Sequence, residues 1–161
     1  MAIESDGVRT LIRRNTITST LFVASTLFGI QVDAGAAANR VEANTIDRPG
    51  FIGVDDSGTS TLTTANLIVG QIYPAMPATG GIALRDGIRV EPPARGTLLQ
   101  ANITTRNGDD GIDVESPATT ITANVANDNT ASTQVQVCAL SQMFRATWRC
   151  SRCGARRTAN C

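Results

Sequence analysis

The sequence predicts an all-β solenoid of stacked coils. Three observations lead there: an asparagine that recurs in a fixed context, an Ile-x-Val pair at a near-constant distance before it, and turn chemistry between the apolar pieces. The asparagines are Asn15, Asn44, Asn66, Asn102 and Asn124. Asn44 and Asn66 stand as far apart as Asn102 and Asn124, and the two remaining intervals are longer. A unit repeating about every 20 to 50 residues marks a solenoid or array, in which each unit buries its apolar face against the next.

The elements of one unit follow in order. The first is an alternating apolar pair: Ile30-Gln31-Val32, Ile52-Gly53-Val54, Ile88-Arg89-Val90 and Ile112-Asp113-Val114. Alternation with period two is the strand signal. The step from the first Ile to the asparagine is the same from Ile30 to Asn44, Ile52 to Asn66 and Ile88 to Asn102, and slightly shorter from Ile112 to Asn124. The second element is an apolar residue just before the asparagine: Ile12, Val41, Leu99 and Ile121, with Leu62 one place off register. The residue immediately preceding is Arg14, then Ala43, Ala65, Ala101 and Ala123. The third element lies two places after it, at Ile17, Ile46, Ile68, Thr104 and Ala126. Clusters such as Asp47-Arg48-Pro49-Gly50 and Asn107-Gly108-Asp109-Asp110-Gly111 supply turns. No stripe at helical spacing runs through the chain. Stacked coils pair at about 4.8 Å. Alanine is then expected to stack inside, and asparagine to pair with asparagine above and below.

The motifs Gly87-Ile88-Arg89-Val90 through Asn102 and Gly111-Ile112-Asp113-Val114 through Asn124 resemble the right-handed parallel β-helix repeat family, the pectate-lyase-like solenoids. The resemblance spans about residues 7–137. It implies a right-handed parallel β-helix of about five coils. The family includes polysaccharide lyases, epimerases, tailspikes, adhesins and accessory proteins, so it implies an exported or cell-surface parent protein without implying one activity. The coils are expected to be incomplete at both ends: Val8 lies only seven residues before Asn15, and no secretory signal follows Met1. Flanking coils of a longer parent protein are then the expected neighbours.

Composition removes some classes. Lys+Arg 14 against Asp+Glu 14 gives zero net charge, which argues against nucleic acid or an anionic membrane as partner. No apolar run spans a bilayer. Residues 138–161 change character: they hold Cys138, Cys150, Cys153 and Cys161 with five Arg and no acid, while residues 1–137 are 9 − 14 = −5. A four-thiolate zinc site or a disulfide cap fits that cysteine set, but loss of every repeat column points to a poorly packed, non-cognate tail.

Length variation concentrates at one corner, in residues 18–28 and 69–86, and insertions on one face of a solenoid often mark the binding face. Aligning the Ile-x-Val columns also places Asp33, Asp55, Glu91 and Glu115 in one acidic column. Asp55, Asp56, Tyr73, Arg89 and Glu91 are therefore the candidate ligand-binding residues. Solvated turns explain the acids without a ligand, and a Ca²⁺ ion would relieve their repulsion. Neither a His-containing metal motif nor a catalytic set is legible: there is no His and no Lys, and nothing selects a carboxylate pair. The expected function is a non-catalytic β-helix segment of an exported protein, a surface scaffold or carbohydrate-contacting element, with no cofactor. The alternative is a fragment of a polysaccharide lyase, epimerase or hydrolase with its site on the insertion face.

Overall fold

The computed structural model describes residues 2–18, 28–49, 51–70, 86–129 and 135–137. Every regular element in these residues is a strand. Each coil contributes three short strands. The first coil holds β1 (Ile3–Ser5), β2 (Leu11–Arg13) and β3 (Thr16–Thr18); the second holds β4 (Phe28–Val32), β5 (Arg40–Glu42) and β6 (Thr45–Asp47). Then come β7 (Ile52–Asp56), β8 (Leu62–Thr64) and β9 (Leu67–Val69); β10 (Ile88–Val90), β11 (Leu98–Gln100) and β12 (Ile103–Thr105); and β13 (Ile112–Val114), β14 (Thr120–Thr122) and β15 (Val125–Asn127). A last strand, β16 (Val135–Val137), pairs onto β13. Equivalent strands stack in parallel into three sheets, ordered β1-β4-β7-β10-β13-β16, β2-β5-β8-β11-β14 and β3-β6-β9-β12-β15. Among the described residues the fold is a parallel β-helix of about five coils. No helix among the described residues is long and apolar enough to cross a membrane.

The core is the set of inward columns. Ile30, Val32, Ile88, Val90, Ile112 and Val114 are fully buried from the first sheet; Val41, Leu99, Ile46 and Ile68 meet them from the other two. Each such side chain contributes roughly 1.5–3 kcal/mol on leaving water. Thr63, not Leu62, fills the inward place in the third coil, so the off-register leucine faces out and is half-buried.

Two or more corners of each coil are made by residues in the left-handed region. Ala43, Ala65, Ala101 and Ala123 have φ between 51° and 54°, and Arg14 has φ 57°. These alanines are exposed rather than stacked inside. Their role is conformational: the left-handed residue swings the chain from the second sheet to the third. Its N–H donates to the next coil, as Ala65 N does to Gln100 O at 3.0 Å. Left-handed backbone costs a non-glycine residue about 1–2 kcal/mol, and the asparagine that follows offsets this by its pairing. Asn15, Asn44, Asn66, Asn102 and Asn124 form one ladder in which the backbone N–H and Nδ2 of each donate to Oδ1 of the next, at 2.8–3.0 Å. A second, shorter ladder joins Asn107 to Asn129 at the next corner, with Nδ2 donating to Oδ1 at 2.8 Å.

The register of the first sheet differs from the Ile-x-Val alignment. Val54, not Ile52, pairs with Ile30 and Ile88, and Asp56 takes the place occupied by Val32 and Val90. The cause is a glycine column, Gly29-Gly53-Gly87-Gly111. A Cβ on Gly53 would lie 2.5 Å from Gly87 O and 2.6 Å from Ile68 Cγ2; one on Gly87 would lie 2.5 Å from Gly111 O. Only glycine allows the coils to approach there, so glycine must stack on glycine. With that register the steps from Ile3 to Asn15, Val54 to Asn66 and Ile112 to Asn124 are equal, and those from Ile30 to Asn44 and Ile88 to Asn102 are two places longer. In these two longer coils, the second and the fourth, the extra residues form a turn. Ala36 N donates to Asp33 O at 3.0 Å, and Ala94 N to Glu91 O at 2.9 Å. The first coil is also fuller than expected: β1 lies upstream of Val8, with Ile3 and Ser5 paired to Ile30 and Val32.

Candidate functional site

The first sheet turns one residue of each central strand away from the core: Gln31, Asp55, Arg89 and Asp113, paired in register. The last three are nonetheless 3%, 8% and 7% exposed. Buried ions require partners. Arg89 supplies one: its Nε donates to Asp55 Oδ1 at 2.9 Å and its Nη2 reaches Glu91 Oε2 at 2.9 Å. Burial pushes the Asp55 carboxyl above the usual range, and the Arg89 guanidinium opposes that shift. For Arg89 burial pulls the other way, and Asp55 and Glu91 outweigh it and hold the charge on.

Asp56 points to the opposite side of the strand and is fully buried. Its Oδ1 accepts from Gly58 N and Thr61 Oγ1, both at 3.0 Å, and its Oδ2 accepts from Thr97 Oγ1 at 2.8 Å. Burial raises its proton affinity and the three donors oppose this. Asp56 is thus a structural clasp within the corner, in place of the apolar residue found in neighbouring coils.

Of the five sequence-predicted site residues, then, Asp55, Arg89 and Glu91 are brought together, and Asp56 is turned inward away from them. Tyr73 lies outside the described residues, as do most of both insertions and the cysteine-rich segment. The acidic column is revised by the register difference. Asp33 aligns with Ser57 rather than Asp55, and Ser57 Oγ donates to Glu91 Oε1 at 3.3 Å. Glu91 and Glu115 do occupy neighbouring positions, each following a paired Val90 or Val114.

A denser acidic group sits at the start of the fourth and fifth coils. Asp86 and Asp110 each precede a column glycine, and Asp110 N donates to Asp86 Oδ1 at 3.2 Å. Asp86, Asp109 and Asp110 bring one carboxylate oxygen each within 4.8 Å of the others. Asp86 is 2% exposed and Asp110 6%. Asp86 Oδ2, Asp110 Oδ1 and Asp113 Oδ1 are buried without a hydrogen-bond partner. Burial first, then mutual repulsion with Asp113 and Asp109, pushes Asp86 up to about 7. Burial and its three acidic neighbours raise Asp110 to about 7, and burial with Glu115 raises Asp113 to about 6. Asp109 shifts upward through burial. The legible signal for this group is the Asp-Gly-Ile triplet that begins at both Asp86 and Asp110.

The sign of the pH effect follows. These carboxyls hold protons more tightly folded than unfolded, where the ordinary value is 3.8. Their stabilising effect is complete below that value and is lost as pH rises through the folded values near 6 and 7. In the presence of a chelator, the midpoint of thermal unfolding is expected to fall by about 5 °C or more between about pH 4 and about pH 7. Differential scanning calorimetry across that range checks it.

Comparison with protein-family models, curated proteins and solved structures gives no match.

Proposed function

We propose that the chain is a non-catalytic β-helix segment of an exported protein, a surface scaffold whose long faces contact carbohydrate. The observation that carries this reading is the engagement of the charged row on the first sheet. Arg89, the cation best placed to meet an acidic sugar, is nine-tenths buried and spent on Asp55 and Glu91. Asp56 is occupied by three donors in the same way.

The third sheet supports contact rather than turnover. Its outward positions form two stripes across the coils: Thr18, Asp47, Val69, Thr105 and Asn127, and beside them Thr16, Thr45, Leu67, Ile103 and Val125. Leu67 and Ile103 are exposed. The hydroxyl, carboxylate, amide and apolar groups of these stripes match the hydroxyls and C–H faces of a sugar chain, and a solenoid offers it one extended surface.

Incubation with pectate and alginate tests the reading. Retarded migration in polysaccharide-containing gels, without accumulation of ultraviolet-absorbing unsaturated product, is the expected result. Product that accumulates in the wild type and disappears in Arg89→Ala or Tyr73→Phe would replace the scaffold by a lyase. A hydrolase is the second reading, favoured by the adjoining Asp86 and Asp110, because carboxyls that keep a proton near neutral pH suit general acid work. It would release reducing ends without unsaturated product, and Asp110→Asn would abolish them.

A further inference from the structure

We propose that Asp86, Asp109 and Asp110, with Asp113 beside them, form a divalent-cation site for Ca²⁺ that pins the fourth coil to the fifth. Two independent observations support it. The first is spacing: oxygens within 4.8 Å of one another can all lie on one ion at the Ca²⁺–oxygen distance of about 2.4 Å. The second is that Asp86 Oδ2 and Asp110 Oδ1 belong to side chains more than nine-tenths buried and have no hydrogen-bond partner. A buried carboxylate oxygen without a partner is costly in an apoprotein. A hard cation satisfies several such oxygens at once.

The chemistry favours calcium over its competitors. All the donors are carboxylates, the oxygen ligands that Ca²⁺ takes in sets of six to eight, and no imidazole is available anywhere in the chain for a zinc-type site. Three carboxylates supply up to six oxygens, and Asp109 is only half-buried, which leaves water a route to the remaining positions. Magnesium demands a stricter octahedron and releases its water reluctantly, so it should bind less tightly. The nearby guanidinium does not compete, since Arg89 is held by Asp55 and Glu91.

The position gives the ion a structural task. Asp86 and Asp110 are register neighbours at the starts of β10 and β13, joined already by the Asp110 N to Asp86 Oδ1 hydrogen bond. An ion there would tie the start of β10 to the start of β13 across the two coils. The site is independent of whether the sheet faces contact carbohydrate.

The test uses the full chain, stripped with a chelator and titrated with CaCl₂ by calorimetry and thermal unfolding at neutral pH. One saturable Ca²⁺ per chain and a rising unfolding midpoint are expected, with at least tenfold weaker binding of Mg²⁺. The Asp86→Asn/Asp110→Asn double variant should unfold at a higher temperature than the stripped wild type and lose the calcium response. Asp109→Asn, which touches no buried hydrogen bond, should keep the fold and bind Ca²⁺ at least several-fold more weakly. Asp47→Asn, on an exposed ion pair with Arg48, should respond like the wild type. No saturable binding to the wild type, or an undiminished calcium shift in both the double variant and Asp109→Asn, would overturn the proposal.

Discussion

Asn102→Leu is expected to destabilise the protein by about 4 kcal/mol, roughly 10 °C in the unfolding midpoint. Asn102 is completely buried. Its Oδ1 accepts from the backbone N–H and the Nδ2 of Asn66, both at 3.0 Å. Its Nδ2 donates to Asn124 Oδ1 at 2.9 Å and to Thr63 O at 2.8 Å. Leucine matches the volume and none of these bonds. Two buried donors on Asn66 are then left without acceptors, each at about 1–3 kcal/mol, and the loss is a large part of the roughly 5–15 kcal/mol that holds a typical domain. Asn15 stands at the start of the ladder, half-buried, and its side chain only donates within it. Asn15→Leu should therefore cost about 1 kcal/mol. Urea unfolding of the two variants beside the wild type checks the difference, and equal losses would contradict a ladder whose interior members are doubly bonded.

Arg89→Met carries the second large effect, about 3 kcal/mol or more. The substitution keeps the apolar stem and deletes the guanidinium bonded to Asp55. A carboxylate that is 3% exposed then loses its charge partner, and breaking a buried pair from one side typically costs about 3–5 kcal/mol. Asp55 responds by holding its proton to higher pH, so the loss should be smallest in mild acid and grow toward neutrality. An ordinary surface pair would behave otherwise: Arg48 with Asp47 is exposed on both sides and contributes at most about 1 kcal/mol.

Much of the fold is legible in the sequence because solenoid packing repeats its constraints. Each coil must place an inward residue at the same three positions, so Ile30, Val41 and Ile46 have counterparts in Ile88, Leu99 and Thr104. The asparagine ladder is legible for the same reason, since an amide bonds to its own kind only if the coils align. The match of Ile52-x-Val54 to Ile30-x-Val32 is the misleading signal. Hydrophobic columns tolerate exchange, and Asp56 can stand where a valine stands when Gly58, Thr61 and Thr97 satisfy it. Glycine columns tolerate none, because a Cβ meets a carbonyl oxygen at 2.5 Å. Gly29, Gly53, Gly87 and Gly111 are therefore the safer anchors.

The site is less legible than the fold for a related reason. Asp55 and Asp56 are adjacent in sequence, but alternation along a strand sends their side chains to opposite faces. Arg89 meets Asp55 only through the corrected register. The alanines before each asparagine suit the interior by size, whereas their positive φ puts them at exposed corners. Asp86 carries no signal by itself, because its partner residues, Asp109 and Asp110, lie in what reads as a turn. Their acidity acquires meaning only when β10 and β13 lie side by side.

The register of the first sheet underlies the ion pair, the inward turn of Asp56 and the acid cluster together. A double-mutant cycle between Asp55→Asn and Arg89→Met tests it most directly. Adjacent buried partners should make the double variant less destabilised than the sum of the single variants by more than about 1 kcal/mol. Additivity within about 0.5 kcal/mol would place the two side chains apart and contradict the stacking of Val54 on Ile88.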